Sequence, residues 1–228
     1  MSARATAVAL LVAVAFATGC GGSDDAPSAV AAATTAAADR GRPVTDEQAL
    51  VLARLLQQNW QRGGARFTGE LPIHGTTVAM RGRVDFRSGR GTAVLRDPSG
   101  QARRYAWTRR AVLAQAQPGS TRYVAKAPDP DGDPVHAGIS FLNLLSAETI
   151  DNTTNIKDQN ASFAGSGTLD GIPVDVYDYG ATRYWVQRND GLLRRVEGEF
   201  GADALMSVTL VSHRPVRIAL PRASRHER

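Results

Sequence analysis

The chain has 228 residues, 43% of them hydrophobic, with a formal net charge of +5 and a single cysteine. One cysteine excludes an internal disulfide framework, so the fold must be held together by packing. Once the terminal segments described below are set aside, about 180 residues remain, which fits one domain large enough to bury most of its apolar surface.

The first twenty residues have the pattern of an export signal. Arg4 stands in a short basic start, an apolar run follows over residues 5–17, and small residues precede Cys20. An apolar run of about a dozen residues is typical of a secretory signal, because a membrane-spanning helix needs roughly 20. We therefore expect residues 1–19 to be removed and the mature protein to be exported.

The tetrapeptide Ala17-Thr18-Gly19-Cys20 resembles the lipobox of bacterial lipoproteins, although that family usually has Leu, Val or Ile at the position of Ala17. The resemblance implies that Cys20 becomes the mature N-terminus and carries diacylglycerol and palmitate. Two or more acyl chains suffice to anchor the protein to the outer face of the cell membrane. The alternative is an ordinary secreted protein cleaved near Ala17, in which Cys20 is an exposed thiol open to oxidation.

The segment after Cys20 has the composition of a tether. Ala, Thr, Ser, Gly and Asp dominate residues 23–43, which lack aromatic residues and apolar periodicity. A flexible coil of this length reaches roughly 25 Å. The predicted organisation is a signal peptide over 1–19, a lipidated N-terminus and tether over 20–43, one domain over 44–221 and a basic tail over 222–228.

The domain begins with a helix signal. Thr45-Asp46-Glu47-Gln48 is a capping-box pattern, and apolar residues recur at helical spacing from Ala49 to Trp60 before Gly63-Gly64 interrupts the run. Capping box, periodicity and terminal glycine together predict a helix over about 45–62.

From residue 65 the apolar period changes to two, with Phe67 and Leu71 on one side of a strand and Arg66 and Thr68 on the other. Turn signals then recur at short intervals between β-branched or aromatic runs. After this strand and a second one ending near residue 87, we predict strands near 90–96, 102–109, 111–116, 120–125, 162–169, 172–179, 181–188, 192–200 and 204–213.

Between the two blocks of strands, apolar residues at helical spacing predict a second helix within 134–147. A meander is the simplest topology for the strands. The predicted fold class is α+β, with one large curved antiparallel sheet and helices packed on one face.

At this level the chain resembles actinobacterial lipoproteins of the LppX/LprG type, which belong to the LolA-like group. The resemblance covers most of the domain and includes the segments 167–174, 183–186, 190–195 and 216–221. It implies a half-barrel whose helices lie on the concave face and close an apolar cavity for acylated lipids. The family has no catalytic motif to transfer, so only Cys20 carries over as a functional residue.

Two sets of candidate site residues follow from the strand and helix patterns. Arg81 and Arg83 are candidates to contact an anionic headgroup, although they also fit a plain wet face of the sheet. The candidate cavity-lining residues, which fit an ordinary core equally well, are Val78, Met80, Val84, Phe86, Leu142 and Leu145.

Catalytic and metal-binding patterns are weak. The four histidines, His74, His136, His213 and His226, do not pair at metal-ligand spacing, and no Gly-x-Ser-x-Gly motif occurs. The run Asp129-Pro130-Asp131-Gly132-Asp133 offers carboxylates for calcium, but it fits a solvated turn better than an EF-hand. We expect no enzyme activity, no metal and no cofactor.

Two hypotheses for the function remain. The first is non-catalytic binding, with or without transfer, of an acylated lipid or lipopeptide. The second is a membrane-tethered sensor or interaction module whose sheet is filled by its own side chains and which binds another envelope protein of unknown identity. An enzyme would need a polar cluster that the linear sequence conceals. Nucleic acid is excluded as a partner, since no aromatic platform accompanies the arginines and the protein is exported.

Overall fold

The structure is a computed structural model, and it describes residues 41–200 and 204–223. These residues form twelve strands and three helices. The helices are α1 (Asp46–Arg62), α2 (Pro134–Leu144) and α3 (Thr153–Asp158). The strands are β1 (Arg42–Pro43), β2 (Ala65–Ile73), β3 (Thr76–Asp85), β4 (Arg90–Arg96), β5 (Ala102–Thr108), β6 (Ala111–Gln115), β7 (Tyr123–Lys126), β8 (Ser162–Leu169), β9 (Ile172–Tyr179), β10 (Thr182–Gln187), β11 (Leu193–Glu199) and β12 (Leu205–His213).

Helix α1 confirms the predicted first helix. The Gln48 amide donates to the Thr45 hydroxyl at 3.3 Å, and the Gln48 side chain accepts from the Thr45 amide at 3.0 Å. At the other end Gly63 adopts φ 82°, and its amide donates to the carbonyls of Asn59 and Trp60. A glycine takes this left-handed conformation without a Cβ penalty, so the helix ends where the sequence predicts.

The twelve strands form one sheet in the order β1-β8-β9-β10-β11-β12-β2-β3-β4-β5-β6-β7, with antiparallel neighbours. The expectation of one continuous meander is wrong. Strands β2–β7 and β8–β12 are each a meander, and the two join through the pairing of β12 with β2. The long connection that contains α2 and α3 carries the chain from the edge strand β7 to β8, which lies next to the opposite edge strand β1. Non-local pairing decides this path, and local periodicity does not show it.

The two faces of the sheet differ in polarity. On β2 and β3, residues such as Phe67, Leu71 and Val84 are buried on the face that carries the helices, here called the helix face. Residues such as Arg66 and Arg83 are exposed on the opposite face, here called the outer face. The predicted fold class is confirmed: the protein is an α+β half-barrel with helices on the concave face of a curved antiparallel sheet.

The helix face is filled by close-packed side chains. Trp107 is fully buried, and its ring lies over Gly91 on the neighbouring strand, where an added Cβ would meet the ring at 2.0 Å. The Trp107 indole also donates to the side-chain oxygen of Asn143 in α2 at 3.2 Å. The bare backbone of Gly91 therefore makes room for the aromatic ring that connects the sheet to α2.

A buried amide joins the two longer helices. Asn59 of α1 is fully buried, and its side chain donates to the Leu145 carbonyl, just after α2, at 2.7 Å. A buried polar group costs free energy unless it is hydrogen-bonded, so this bond fixes the end of α2 against α1. None of the helices within residues 41–200 and 204–223 has the length and apolar character needed to traverse a membrane.

Three local features were not predicted from the sequence. They are β1, α3 and the segment 215–223, here called the C-terminal strap. The strap has no regular secondary structure, and Ala223 forms an isolated parallel bridge with Tyr123 of β7. The expected signal peptide, the lipidated Cys20 and the tether up to residue 40 lie outside the described residues, as do the last five residues of the tail, which include His226. The predicted domain boundaries stay a prediction.

The contact between Gly91 and Trp107 leads to a stability prediction. Gly91→Ala should lower the free energy of unfolding by about 1–3 kcal/mol, because the new methyl group overlaps a buried ring that has no room to move. Gly167→Ala is the control, since nothing lies within 4 Å of a Cβ at that strand position. Urea denaturation measures the stability of both variants. Equal costs for the two substitutions would contradict the packing of Trp107 over Gly91.

A second prediction tests whether the helix face is packed or hollow. Met80 is buried with 4% of its surface exposed. Met80→Trp should therefore destabilise the fold by about 1–3 kcal/mol through overpacking, whereas the volume-conserving Met80→Leu should cost less than about 1.5 kcal/mol. Denaturant midpoints measure both effects. Equal stability of the two variants would mean that the helix face contains a cavity able to accept the indole.

Candidate functional site

The residues predicted to line a cavity all lie in the core. They belong to one hydrophobic cluster between the sheet and the helices, and each is at most 8% exposed: Val78, Met80, Val84, Phe86, Leu142 and Leu145. In this packing they are covered by other side chains of the cluster. Their role as cavity lining stays a prediction.

An open groove lies instead on the outer face, between strands β2–β5 and the C-terminal strap, and is here called the outer groove. Its volume is about 750 Å³. The strap forms one wall through Ala219, Leu220 and Pro221, and β12 contributes Val211. Strands β4 and β5 contribute the apolar residues Val94 and Ala106. The groove therefore offers apolar surface that the helices do not cover.

The strap is held near both ends. At its start Val216 lies against the turn after α1, where a Cβ on Gly64 would meet a Val216 methyl group at 3.0 Å. At its end Ala223 bridges to Tyr123, which also lines the outer groove. The strap is thus attached to the first turn of the domain and to the edge strand β7, and the groove lies between these two attachments.

Four exposed arginines line the outer groove: Arg66, Arg81, Arg83 and Arg104. Strand register explains their proximity. Arg66 of β2 stands directly opposite Arg83 of β3, and Arg81 stands opposite Val94, which in turn stands opposite Arg104 of β5. Residues directly opposite on one face of an antiparallel pair have Cβ atoms roughly 4.5–5.5 Å apart, so Arg66 and Arg83 are immediate neighbours.

These four guanidinium groups lack acidic partners within the described part of the chain. None of the described residues that line the groove is Asp or Glu, and none of the four arginines forms an ion pair there. Three arginines on the other half of the sheet have acidic partners. Arg183 contacts Asp178 at 2.6 Å, Arg188 contacts Asp175 at 2.9 Å and Arg195 contacts Glu197 at 2.6 Å. Uncompensated positive charge is therefore concentrated at the outer groove.

A smaller opening of about 350 Å³ adjoins the outer groove on the same face. Arg81 and Val94 line both openings, while Arg96, Arg195 and Glu70 line only the smaller one. Arg81 therefore lies between the outer groove and this smaller opening, which also contains an acidic residue.

His136, His213 and the aspartate run serve local structure. The Asp129 amide donates to Nδ1 of the buried His136 at 3.0 Å, and the Asp133 carboxylate caps α2 by accepting from the Val135 amide at 2.8 Å. Nε2 of His213 donates to the Leu193 carbonyl at 2.8 Å, and burial lowers the pKa of this imidazole. Among residues 41–200 and 204–223, no three His, Cys, Asp or Glu side chains are grouped to hold a metal ion.

One tyrosine on β5 has a shifted pKa. Burial raises the pKa of Tyr105 above its usual value, although nearby Arg103 opposes this shift. Tyr105 alternates with Arg104 along the strand, so its side chain belongs to the core cluster on the helix face and not to the group of arginines on the outer face.

The structure brings together the two arginines that the sequence singled out as candidate headgroup contacts. Arg81 and Arg83 lie in the outer groove as a pair on one strand. Arg87 does not join them, because its guanidinium donates to the Gln61 carbonyl at 2.7 Å at the end of α1. Arg66 was missed as a site residue, although the alternation on β2 already placed it on the wet face.

Comparison with known proteins found similar solved structures at low sequence identity. No family model matches the chain, and no curated protein matches it. Its structure is similar to that of the lipoprotein LppX from Mycobacterium tuberculosis, with 12% identity, a TM-score of 0.47, and 75% of this chain and 98% of that chain covered. A LolA superfamily protein from Nitrosomonas europaea shows 9% identity and a TM-score of 0.27, with 68% of this chain and 76% of that chain covered.

A third similar structure is that of MucB in complex with MucA(peri), with 12% identity and a TM-score of 0.36 over 70% of this chain and 52% of that chain. Similarities of this size carry no assignment of residues or of function. The half-barrel that the resemblance implied is present in the described residues themselves, as a curved antiparallel sheet with helices on one face.

Proposed function

We propose that this chain is a non-catalytic envelope lipoprotein whose domain binds, with or without transfer, an acylated lipid or lipopeptide. The observation that carries the proposal is the outer groove, which combines apolar walls with four unpaired arginines and has no acidic residue among its described lining. Such a site matches an amphiphile that has an apolar chain and an anionic head.

The apolar part of the groove fits an acyl chain. Its volume of about 750 Å³ lies within the roughly 300–1,000 Å³ of small-molecule sites. Each methylene removed from water contributes about 0.8 kcal/mol, so a ten-carbon chain gains roughly 8 kcal/mol before ordering costs. Val94, Leu220 and Pro221 are the residues we expect to contact the chain.

The polar part of the groove fits the head of the same ligand. We expect Arg81 and Arg83 to contact an anionic headgroup, because guanidinium groups donate paired hydrogen bonds to carboxylate and phosphate oxygens. The groove also lacks the parts of a catalytic site. Its described lining includes Thr92 and two tyrosines but no His, Asp, Glu or Cys that would act as a general base beside a nucleophile.

The second candidate function is a tethered sensor or interaction module that binds another envelope protein. One observation favours it: the helix face is occupied by the chain's own side chains, with Trp107 and Leu142 fully buried. An outer groove that takes no lipid would then serve as a surface for a partner protein, and lipid retention by the purified protein separates the two candidates.

Lipid retention tests the groove. Native mass spectrometry with lipid extraction is applied to the mature chain, residues 20–228, produced in a host with an acylated-lipid envelope. We expect the wild type to retain acylated lipid and Leu220→Asp to lose it, because the carboxylate places charge against the acyl chain. Leu205→Asp is the matched control, since Leu205 is 59% exposed and lies outside the groove. A wild type that is empty and ignores added lipid would rule out the lipid proposal and favour the interaction module.

The anchor has its own test. Cys20→Ala should release the protein from the membrane fraction into the soluble extracytoplasmic fraction, because it removes the thiol that carries the diacylglyceryl group. Ser23→Ala, in the same segment, should stay membrane-bound. Intact-mass measurement of the wild type should show the acyl groups on Cys20, and a mature protein without them would contradict the anchoring proposal.

A further inference from the structure

We infer that the outer groove selects ligands that carry a phosphate monoester, bound by Arg66 and Arg83 across β2 and β3 and by Arg81 beside them. This inference rests on the proposed function and deepens it, because it names the headgroup class and the residues that recognise it.

Two arginines of the outer groove form a like-charge pair. Arg66 and Arg83 stand directly opposite each other on the outer face, and like charges in that relation destabilise a sheet. Their other cross-strand neighbours do not relieve the repulsion, since Ser212 stands beside Arg66 and Thr92 stands beside Arg83. A bound anion between the two guanidinium groups supplies the missing negative charge.

Arg81 adds a third guanidinium group beside this pair. It lies two residues from Arg83 on the same strand, so its side chain is on the same face, roughly 7 Å along the strand. Directly opposite it stand Thr68 and Val94, neither of which is charged, while Glu70 lies diagonally across on β2 and lines only the smaller opening. Three guanidinium groups therefore surround one area of the groove floor, and each presents a planar set of donors.

A phosphate monoester matches the charge and the donor geometry of these arginines. A fatty-acid carboxylate or a phosphodiester carries one negative charge and leaves most of this positive charge unbalanced. A phosphate monoester carries about −1.5 to −2 at neutral pH and presents three acceptor oxygens, which suits two or three arginines. The Thr92 hydroxyl, which also lines the groove beside Arg83, is a further donor.

The three arginines adjoin the apolar walls of the outer groove. Val94 of β4 lies between Arg81 of β3 and Arg104 of β5, because it stands opposite both. Leu220 and Pro221 of the strap line the same groove. A ligand whose phosphate contacts the three arginines therefore has apolar surface next to its remaining part. The shared chemistry is the phosphate monoester, with an acylated phospholipid head or a free phosphate as its source.

The experiment compares four probes on the mature chain, residues 20–228, by isothermal titration calorimetry. The probes are a monoacylglycerol phosphate, the uncharged monoacylglycerol, the fatty acid of equal chain length, and inorganic phosphate. The monoacylglycerol phosphate should bind about ten- to a hundredfold more tightly than the monoacylglycerol, because charge-assisted hydrogen bonds form only with the phosphate. It should also bind more tightly than the fatty acid.

Variants assign the effect to the named residues. Arg83→Met keeps most of the apolar stem and removes the charge, so it should abolish the preference for phosphate. Arg54→Met is the matched control, because Arg54 is an exposed arginine of α1 outside the groove. The unliganded Arg83→Met protein should melt at the wild-type temperature or above, since repulsion from Arg66 is relieved, and this separates loss of binding from loss of folding.

The outcomes distinguish the inference from the proposed function. Equal binding of charged and uncharged acylated probes overturns the phosphate inference and leaves lipid binding in place. Binding of inorganic phosphate as tight as that of the monoacylglycerol phosphate, with loss in Arg83→Met, supports the phosphate site and overturns the acyl-chain proposal. No binding by any probe overturns both.

Discussion

The packing of α2 on the seam between β2 and β12 is the contact on which the architecture depends. A Cβ on Gly138 would lie 2.9 Å from a Leu71 methyl group and 3.6 Å from the Met206 methyl group, so only a bare backbone lets α2 approach both strands. Leu71 belongs to β2 and Met206 to β12, the two strands that join the meanders. Because α2 lies in the connection from β7 to β8, the same contact carries the chain across the concave face.

Occupation of the helix face determines what the other face can do. Trp107, Leu142 and their neighbours take up the space under the helices, so strand alternation leaves the polar residues of β2–β5 on the outer face. On β10 and β11 two arginines have acidic partners, Arg183 with Asp178 and Arg195 with Glu197. On β2–β5 the described residues that line the groove are not acidic, and positive charge accumulates there. The fold thus separates a structural face from a face with unbalanced charge.

The C-terminal strap converts that charged face into a groove. A sheet surface by itself is open to water, and the segment 215–223 adds an apolar wall through Leu220 and Pro221. The strap depends on two distant contacts, that of Val216 with the Gly64 turn and that of Ala223 with Tyr123. The lipid and phosphate proposals therefore rest on a segment that contributes no regular element of its own.

The sequence by itself determined the local elements and their faces. The capping box at Thr45, the turn glycines and the two-residue period on β2 and β3 are short-range effects of backbone hydrogen bonding and side-chain alternation, and they predict α1 and most strands within a few residues. Tertiary structure alone decided the pairing of β12 with β2, the juxtaposition of Arg66 with Arg83 and the path of the strap. These features join residues far apart in the chain, and the free energy that selects them comes from packing and register, which no local pattern contains.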